Sequence, residues 1–228
     1  MTEASKTAAN PARIHAYILL DRTGSMGPIW DEALSSVNTY AAELSKPEPG
    51  EPEPVPADVT LAVFDHHDGL KFDVLRRAVP SAGWKPVTSD EASPRGMTPL
   101  FDAIARIAAL AEGDKPDKAI LVIMTDGHEN ASAEVTREGA RAALDRIRAK
   151  GWETVFLGAD FAKFGDAQSV GMRNDKVMAM SAGSFETSMS RLASKSRRYF
   201  AVPDHGVEFD ADDRREAGED DVKRRKGS

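Results

Sequence analysis

A nearly continuous apolar run from Ile14 to Leu20 ends on Asp21, and it constrains the fold of this chain more than any other segment. A run of this length that does not alternate with polar residues is typical of a parallel strand buried on both faces. Thr23 and Ser25 follow at alternate positions in a glycine-containing turn. The strand end therefore gathers one carboxylate and two hydroxyls, the hard oxygen ligands that Mg²⁺ prefers. The same residue types also cap helices, so the motif alone leaves both interpretations open.

A second apolar run, Ala119 to Met124, is also followed by an aspartate, Asp126. Between the two runs, Thr98 precedes Pro99, and this pair predicts a helix N-cap with proline at the first helical position. Parallel sheets bind ligands outside the carboxyl ends of their strands, where the strand order reverses. We therefore expect the oxygen atoms of both strand ends and of Thr98 to lie on one rim. Two neighbouring carboxylates repel each other unless a cation lies between them, which favours a divalent ion there.

At these three motifs the chain resembles the von Willebrand factor A (VWA) domain family, in particular its small stand-alone bacterial and phage members. The segments that carry the resemblance are Asp21-Arg22-Thr23-Gly24-Ser25-Met26, Gly96-Met97-Thr98-Pro99-Leu100 and Thr125-Asp126-Gly127. The resemblance implies a metal-ion-dependent adhesion site (MIDAS) that binds Mg²⁺ or Mn²⁺. Its five members here would be Asp21, Thr23, Ser25, Thr98 and Asp126. The family usually has serine where this chain has Thr23, and threonine keeps the hydroxyl that ligation needs.

Strands alternate with helices along the sequence, which predicts an α/β fold with a doubly wound, mostly parallel central sheet and helices on both faces. The turn at Asp68-Gly69 joins strands 58–64 and 70–79 into a hairpin, so one edge strand is expected to be antiparallel. The other strands are predicted at 14–20, 119–124, 153–158 and 176–180. Helices are predicted at 29–44, 99–111, 132–150, 160–170 and 185–200. The resemblance implies the same VWA, Rossmann-like architecture.

The domain organisation follows from composition. Residues 1–12 are small and polar and are expected to form a flexible arm. Residues 13–202 are expected to form the VWA-like domain. Residues 203–228 are rich in charge and poor in apolar side chains, so they are predicted to be a disordered tail. The acidic tract 46–56 contains five prolines and is predicted to be a loop.

Composition also narrows the classes of function. The 228 residues carry a net charge of −7, which argues against nucleic acid as a partner. The chain has no cysteine, so disulfides and thiolate metal sites are excluded, and we expect a cytoplasmic protein. No apolar run approaches the ~20 residues that a membrane-spanning helix needs, so no membrane partner is expected.

The resemblance implies a metal-ion-dependent protein-binding module, not an enzyme, in which an acidic residue of a partner protein completes the metal shell. It also implies an AAA+ ATPase as one type of partner. Two alternatives stay open: a metal-dependent phosphohydrolase, and a structural component whose ion is purely stabilising. The hydrolase would need a second aspartate two residues after its nucleophile, and that position is Thr23.

Four further side chains have two interpretations each. His66 could belong to a second metal site or merely to a polar hairpin turn. His128 and Glu129 could flank the ion or solvate a loop and cap the next helix. Trp84 could be an exposed contact residue or could pack against the sheet.

Overall fold

The computed structural model of this chain describes residues 12–47, 49–50, 53–158 and 164–226. Apart from Ala12, the expected N-terminal arm lies outside the described residues. So do three residues of the proline tract, at positions 48, 51 and 52.

The described residues form a six-stranded sheet in the order β3-β2-β1-β4-β5-β6. The strands are Ile14–Asp21 (β1), Ala57–His66 (β2), Leu70–Pro80 (β3), Lys118–Thr125 (β4), Glu153–Gly158 (β5) and Val177–Ala179 (β6). Strand β3 pairs antiparallel with β2 at one edge, and every other pairing is parallel. The predicted doubly wound α/β fold is therefore confirmed.

Strand β1 lies in the middle of the sheet, between β2 and β4. All eight of its residues are buried, which explains why its sequence does not alternate between apolar and polar side chains. Ile18 and Leu20 contribute to the apolar layer on one face of the sheet, whereas Tyr17 and Leu19 contribute to the layer on the other face. The strand order reverses at β1 and β4, so their carboxyl ends lie at the switch point of the sheet.

Helices cover both faces of the sheet. They are Trp30–Glu43 (α1), Leu100–Asp114 (α2), Arg137–Ala149 (α3), Phe164–Ser169 (α4), Phe185–Ala201 (α5), Ala211–Glu216 (α6) and Glu219–Lys226 (α7). Buried residues of α1 and α5 pack on one face, and those of α2 and α3 on the other. None of the helices in the described part of the chain is long and apolar enough to cross a bilayer.

Helix α3 begins later than the sequence suggested. The predicted start was Ser132, but the helix begins at Arg137, where the Thr136 side chain accepts a hydrogen bond from the Gly139 backbone N–H. Residues 131–135 are instead held as a loop. The buried Asp102 carboxylate accepts backbone hydrogen bonds from Ala133, Glu134 and Val135. A carboxylate that comes from the neighbouring helix α2 therefore decides this boundary.

The prediction that residues 203–228 form a disordered tail is wrong for the described part of that segment. Val207, Phe209 and Ala217 are buried in the apolar layer that also contains α1 and α5. Helix α6 has a capping box between Asp210 and Asp213. The buried Asp213 carboxylate lies 2.8 Å from Lys195 Nζ on α5. A few apolar residues therefore anchor a segment that is otherwise dense in charge.

Candidate metal centre

Two adjacent strands deliver the two aspartates of the predicted site. Leu20 of β1 is in register with Met124 of β4, so Asp21 and the Thr125-Asp126-Gly127 turn emerge side by side at the carboxyl rim. Asp21 is fully buried, and Asp126 is largely buried. The turn after β1 continues as a short 3-10 helix, Gly24–Ile29, which brings Ser25 back over the rim.

Four of the five predicted residues are linked by a continuous line of side-chain oxygens. The Ser25 hydroxyl donates to Asp126 Oδ1 over 2.7 Å. Ser25 Oγ lies 3.2 Å from Thr23 Oγ1, and the Thr98 hydroxyl donates to Thr23 Oγ1 over 3.3 Å. These side chains come from three separate segments of the chain. The structure therefore brings together the set of oxygens that the sequence motifs selected.

Asp21, the fifth residue, is held by hydrogen bonds on both carboxylate oxygens. The Thr23 backbone N–H donates to Oδ1 over 2.7 Å, and the Thr125 hydroxyl donates to Oδ2 over 2.5 Å. Burial nevertheless raises the pKa of the Asp21 carboxyl to about 6, and the negative charge of Asp126 acts in the same direction. The basic residue next to it in sequence, Arg22, points away and pairs with Asp65 and Asp73. A divalent cation would relieve the cost of burying this charge, so the donor set fits such an ion.

Gly127 brings backbone against this oxygen cluster. A Cβ atom at this position would lie 2.5 Å from Thr98 Oγ1 and 3.1 Å from Asp21 Oδ2. Only a residue without a side chain allows the β4 turn to approach Thr98 so closely. Gly127 belongs to the Thr125-Asp126-Gly127 motif but had no predicted role, although its place directly after Asp126 was a usable signal.

No protein-family model and no curated protein sequence matches this chain. Solved structures do match. The von Willebrand factor domain of the type V pili tip protein Mfa5 from Porphyromonas gingivalis is 10% identical, with a TM-score of 0.57 over 81% of this chain and 95% of that one. The chain has the von Willebrand factor A fold.

Two further structures with this fold carry a metal. Manganese-loaded TRAP protein from Plasmodium vivax is 13% identical, with a TM-score of 0.53 over 78% of this chain and 72% of that one. Proximal thread matrix protein 1 from the mussel byssus, with a zinc-occupied MIDAS motif, is 14% identical, with a TM-score of 0.55 over 81% of this chain. The present chain spans 48% of the mussel protein. These neighbours are described as matrix, pilus and metal-loaded proteins.

Thr98 has a different role in this VWA fold from the one its sequence context predicted. Helix α2 begins at Leu100 with Pro99 at the N-cap position, and Thr98 makes no side-chain cap. Its hydroxyl turns towards Thr23 instead. The Phe101 backbone N–H at the start of the helix donates to Glu129 Oε2 over 2.9 Å. Glu129 therefore caps the start of α2, the helix that precedes it in the chain, and not the next helix that the capping interpretation named.

The remaining rim residues have structural partners. His128 Nδ1 lies 3.2 Å from Asp166 Oδ2, on the side of α4. His66 exchanges two backbone hydrogen bonds with Met97. Trp84 packs against the core and donates from its indole N–H to Asn38 Oδ1 over 3.1 Å, so the packed interpretation holds.

Within the residues that the structure describes, no group of three or more His, Asp or Glu side chains is arranged to hold a metal. The His66-His67-Asp68 turn thus provides no second centre of that kind. The candidate site differs because it consists of two carboxylates and three hydroxyls, so any ion there depends on the hydroxyl oxygens.

Proposed function

We propose that this chain is a metal-ion-dependent protein-binding module, in which a bound divalent cation engages an acidic residue of a partner protein. The observation that carries the proposal is the line of side-chain oxygens from Asp126 through Ser25 and Thr23 to Thr98. It lies at the switch point of the sheet, where folds of this type bind ligands.

The five residues would supply two kinds of oxygen donor to the ion. Ser25, Thr23 and Thr98 supply neutral oxygens, and Asp21 and Asp126 supply two negative charges. The Thr23 N–H and the Thr125 hydroxyl fix the orientation of the Asp21 carboxylate. Two charges balance a divalent cation without excess, and when bound such an ion accepts a further anionic oxygen as a Lewis acid.

Mg²⁺ or Mn²⁺ is the cation that we propose. All five donors are hard oxygens, which suit these ions, whereas Zn²⁺ favours nitrogen and sulfur ligands. Manganese in the TRAP structure and zinc in the mussel protein support a divalent cation in this fold. The cysteine-free sequence offers no thiolate that would favour zinc.

A phosphohydrolase has less support. Its general acid would occupy the position of Thr23, whose hydroxyl here lies within the oxygen line. A purely stabilising ion remains the other alternative. The AAA+ ATPase partner and the cytoplasmic location stay predictions.

The test has two stages. Isothermal titration calorimetry of protein freed of metal should show one Mn²⁺ or Mg²⁺ site in the parent chain and none in Asp126→Ala. Asp145→Ala is the matched control because Asp145 is an exposed carboxylate on α3, remote from the rim. Loss of binding in both variants, or in neither, would contradict the assigned site.

The second stage examines partner binding. Immobilised parent protein and both variants are used to capture proteins from lysate in Mg²⁺ and in EDTA. The proposed function requires a partner that binds only with Mg²⁺ and only to chains that retain Asp126. If the cation binds but every protein is captured equally well in Mg²⁺ and in EDTA, the result would favour the purely stabilising ion. Hydrolysis of p-nitrophenyl phosphate that is lost in Asp126→Ala would favour the enzyme.

A further inference from the structure

A buried ion pair outside the oxygen cluster connects two of the segments that carry the candidate ligands. The Asp65 carboxylate near the end of β2 is fully buried. The Arg22 guanidinium lies against it, with Nε 2.7 Å and Nη2 2.5 Å from Oδ2. Arg95 Nε lies 3.3 Å from Oδ1 of the same carboxylate.

The two arginines belong to different parts of the candidate metal site. Arg22 lies between Asp21 and Thr23, on the turn that supplies three candidate ligands. Arg95 lies three residues before Thr98, on the loop that supplies the fourth. Asp65 therefore holds two ligand-bearing segments through one carboxylate, and we call Arg22, Asp65 and Arg95 the Asp65 bridge.

The backbones of the same segments are also joined. The Arg95 N–H donates to the Arg22 carbonyl over 2.9 Å, and the Gly24 N–H donates to the Gly96 carbonyl over 3.2 Å. On the other side of the loop, Met97 exchanges two hydrogen bonds with His66. Residues 95–97 are thus held between the ligand turn and the end of β2.

Gly96 makes this close packing feasible. Its φ is +69°, in the left-handed region that favours glycine, and a Cβ atom there would overlap the carbonyl oxygen of His66. The backbone path therefore leaves the Thr98 loop little freedom. The Asp65 bridge also holds this loop through the Arg95 side chain.

We propose that the Asp65 bridge positions Thr98 for cation binding by holding its loop against the turn that carries Asp21, Thr23 and Ser25. This inference rests on the proposed function. In this proposal, Arg95 and Asp65 do not contact the ion. They act by keeping Thr98 Oγ1 close to Thr23 Oγ1, at 3.3 Å. Groups that orient metal ligands typically change affinity by ~10–100-fold when they are removed.

Arg95→Met is the first test, because it removes the weaker half of the bridge and leaves the buried Arg22–Asp65 pair in place. Arg77→Met is the matched control. Arg77 has a similarly exposed side chain, 46% against 43% for Arg95, and it too pairs with a carboxylate, Asp114. Its partners lie away from the rim.

Calorimetric titration with Mn²⁺ should show about tenfold weaker binding in Arg95→Met and an affinity within twofold of the parent in Arg77→Met. Melting temperatures in EDTA should be similar for the two variants. Equal Mn²⁺ affinities in both variants would overturn the positioning role.

A double-mutant cycle with Thr98→Ala separates positioning from a general loss of order. If Arg95 acts through Thr98, then Arg95→Met should weaken Mn²⁺ binding much less in the Thr98→Ala background than in the parent. The same tenfold loss in both backgrounds would overturn the proposal. If the parent chain binds no Mn²⁺, the proposed function itself fails, and that outcome is distinct from either of these.

Discussion

The Ser25 hydroxyl donates a 2.7 Å hydrogen bond to Asp126 Oδ1, although the two residues are 101 positions apart in the chain. The contact exists because β1 and β4 are parallel neighbours whose carboxyl ends meet at one rim. It joins the two motifs that were identified separately in the sequence.

The Thr23 hydroxyl should matter for cation binding, whereas its methyl group should not. Thr23→Ser keeps the oxygen that lies 3.2 Å from Ser25 Oγ, so Mn²⁺ affinity should stay within a few fold of the parent. Thr23→Val keeps the shape of the side chain and removes the oxygen, so affinity should fall by ~10-fold or more. Calorimetry on the serine and valine variants measures the ligand role directly. Equal affinities in the serine and valine variants would exclude Thr23 as a ligand.

Gly127→Ala should damage the site through steric overlap. The added methyl would lie 2.5 Å from Thr98 Oγ1, so either Thr98 or the β4 turn must move. Overpacking of this kind typically costs ~1–3 kcal/mol of folding stability, and we expect Mn²⁺ affinity to fall as well. Gly113→Ala in α2 is the control, since a Cβ there meets no atom within 4 Å. Chemical denaturation should show the control as stable as the parent or more so. A Gly127→Ala protein with parental stability and affinity would contradict the close approach.

Cation binding should weaken as the pH falls below about 6. Burial raises the pKa of Asp21 to about 6 in the metal-free protein, and a protonated carboxyl must lose its proton to ligate an ion. The Mn²⁺ dissociation constant should therefore rise about tenfold between pH 7 and pH 5.

In EDTA, the raised pKa of Asp21 should make the metal-free fold more stable at low pH. The reason is that the folded state binds the proton of Asp21 more tightly than the unfolded state does. The contribution of Asp21 to stability should then fall as the pH rises from about 4 to 6. Mn²⁺ titrations and thermal melts in EDTA at pH 5, 6 and 7 check the two expectations. An Mn²⁺ affinity that does not change with pH would contradict the role of Asp21 as a ligand.

His15 should make the fold less stable in acid. It is buried, stacks on Tyr17 with ring centroids 4.0 Å apart, and has Nε2 2.8 Å from Thr60 Oγ1. Burial lowers the pKa of His15 to about 4, with Asp114 opposing and Arg77 assisting this shift. The unfolded chain binds the proton first, so stability should be lost as the pH falls from about 6.5 to 4, by up to about 3 kcal/mol.

His15→Phe keeps an aromatic ring against Tyr17 and cannot titrate. Urea denaturation should show a smaller loss of stability between pH 6.5 and pH 4 in this variant than in the parent, after the difference at pH 7.5 is subtracted. The same pH dependence in both proteins would show that His15 does not contribute to it.

The C-terminal segment should contribute strongly to stability. Phe209 is buried in the layer that contains α1 and α5, so Phe209→Ala should cost ~3–5 kcal/mol. Glu208→Ala removes the exposed neighbouring side chain and should change stability little. Melting temperatures of the two variants check this. If both melt like the parent, the original expectation of a disordered tail would regain support.

The central sheet could be predicted from local sequence. The apolar runs that became β1 and β4 are buried on both faces, and a strand of that kind carries its signal locally, in every consecutive residue. The oxygen-bearing residues after these runs could be selected for the same reason, because the carboxyl ends of parallel strands share one rim. The resemblance added that these five residues form a metal-ion-dependent adhesion site.

The partners of the other polar side chains depend on tertiary contacts that local sequence does not reveal. Asp65 and Arg95 are 30 positions apart, and no local pattern reveals that the Asp65 carboxylate pairs with both Arg95 and Arg22. Thr98 had the sequence context of a helix cap, yet its hydroxyl turns to Thr23 because the loop is held against the β1 turn.

The C-terminal segment shows the same limit for apolar residues. Val207 and Phe209 are a single pair at strand spacing, and Ala217 follows eight residues later, so the apolar pattern is too short to predict an element and composition alone predicted disorder. Their burial depends on a surface built by α1 and α5, which are distant in sequence. Local sequence encodes a preference for structure, whereas burial of isolated side chains depends on which surface the rest of the fold presents to them.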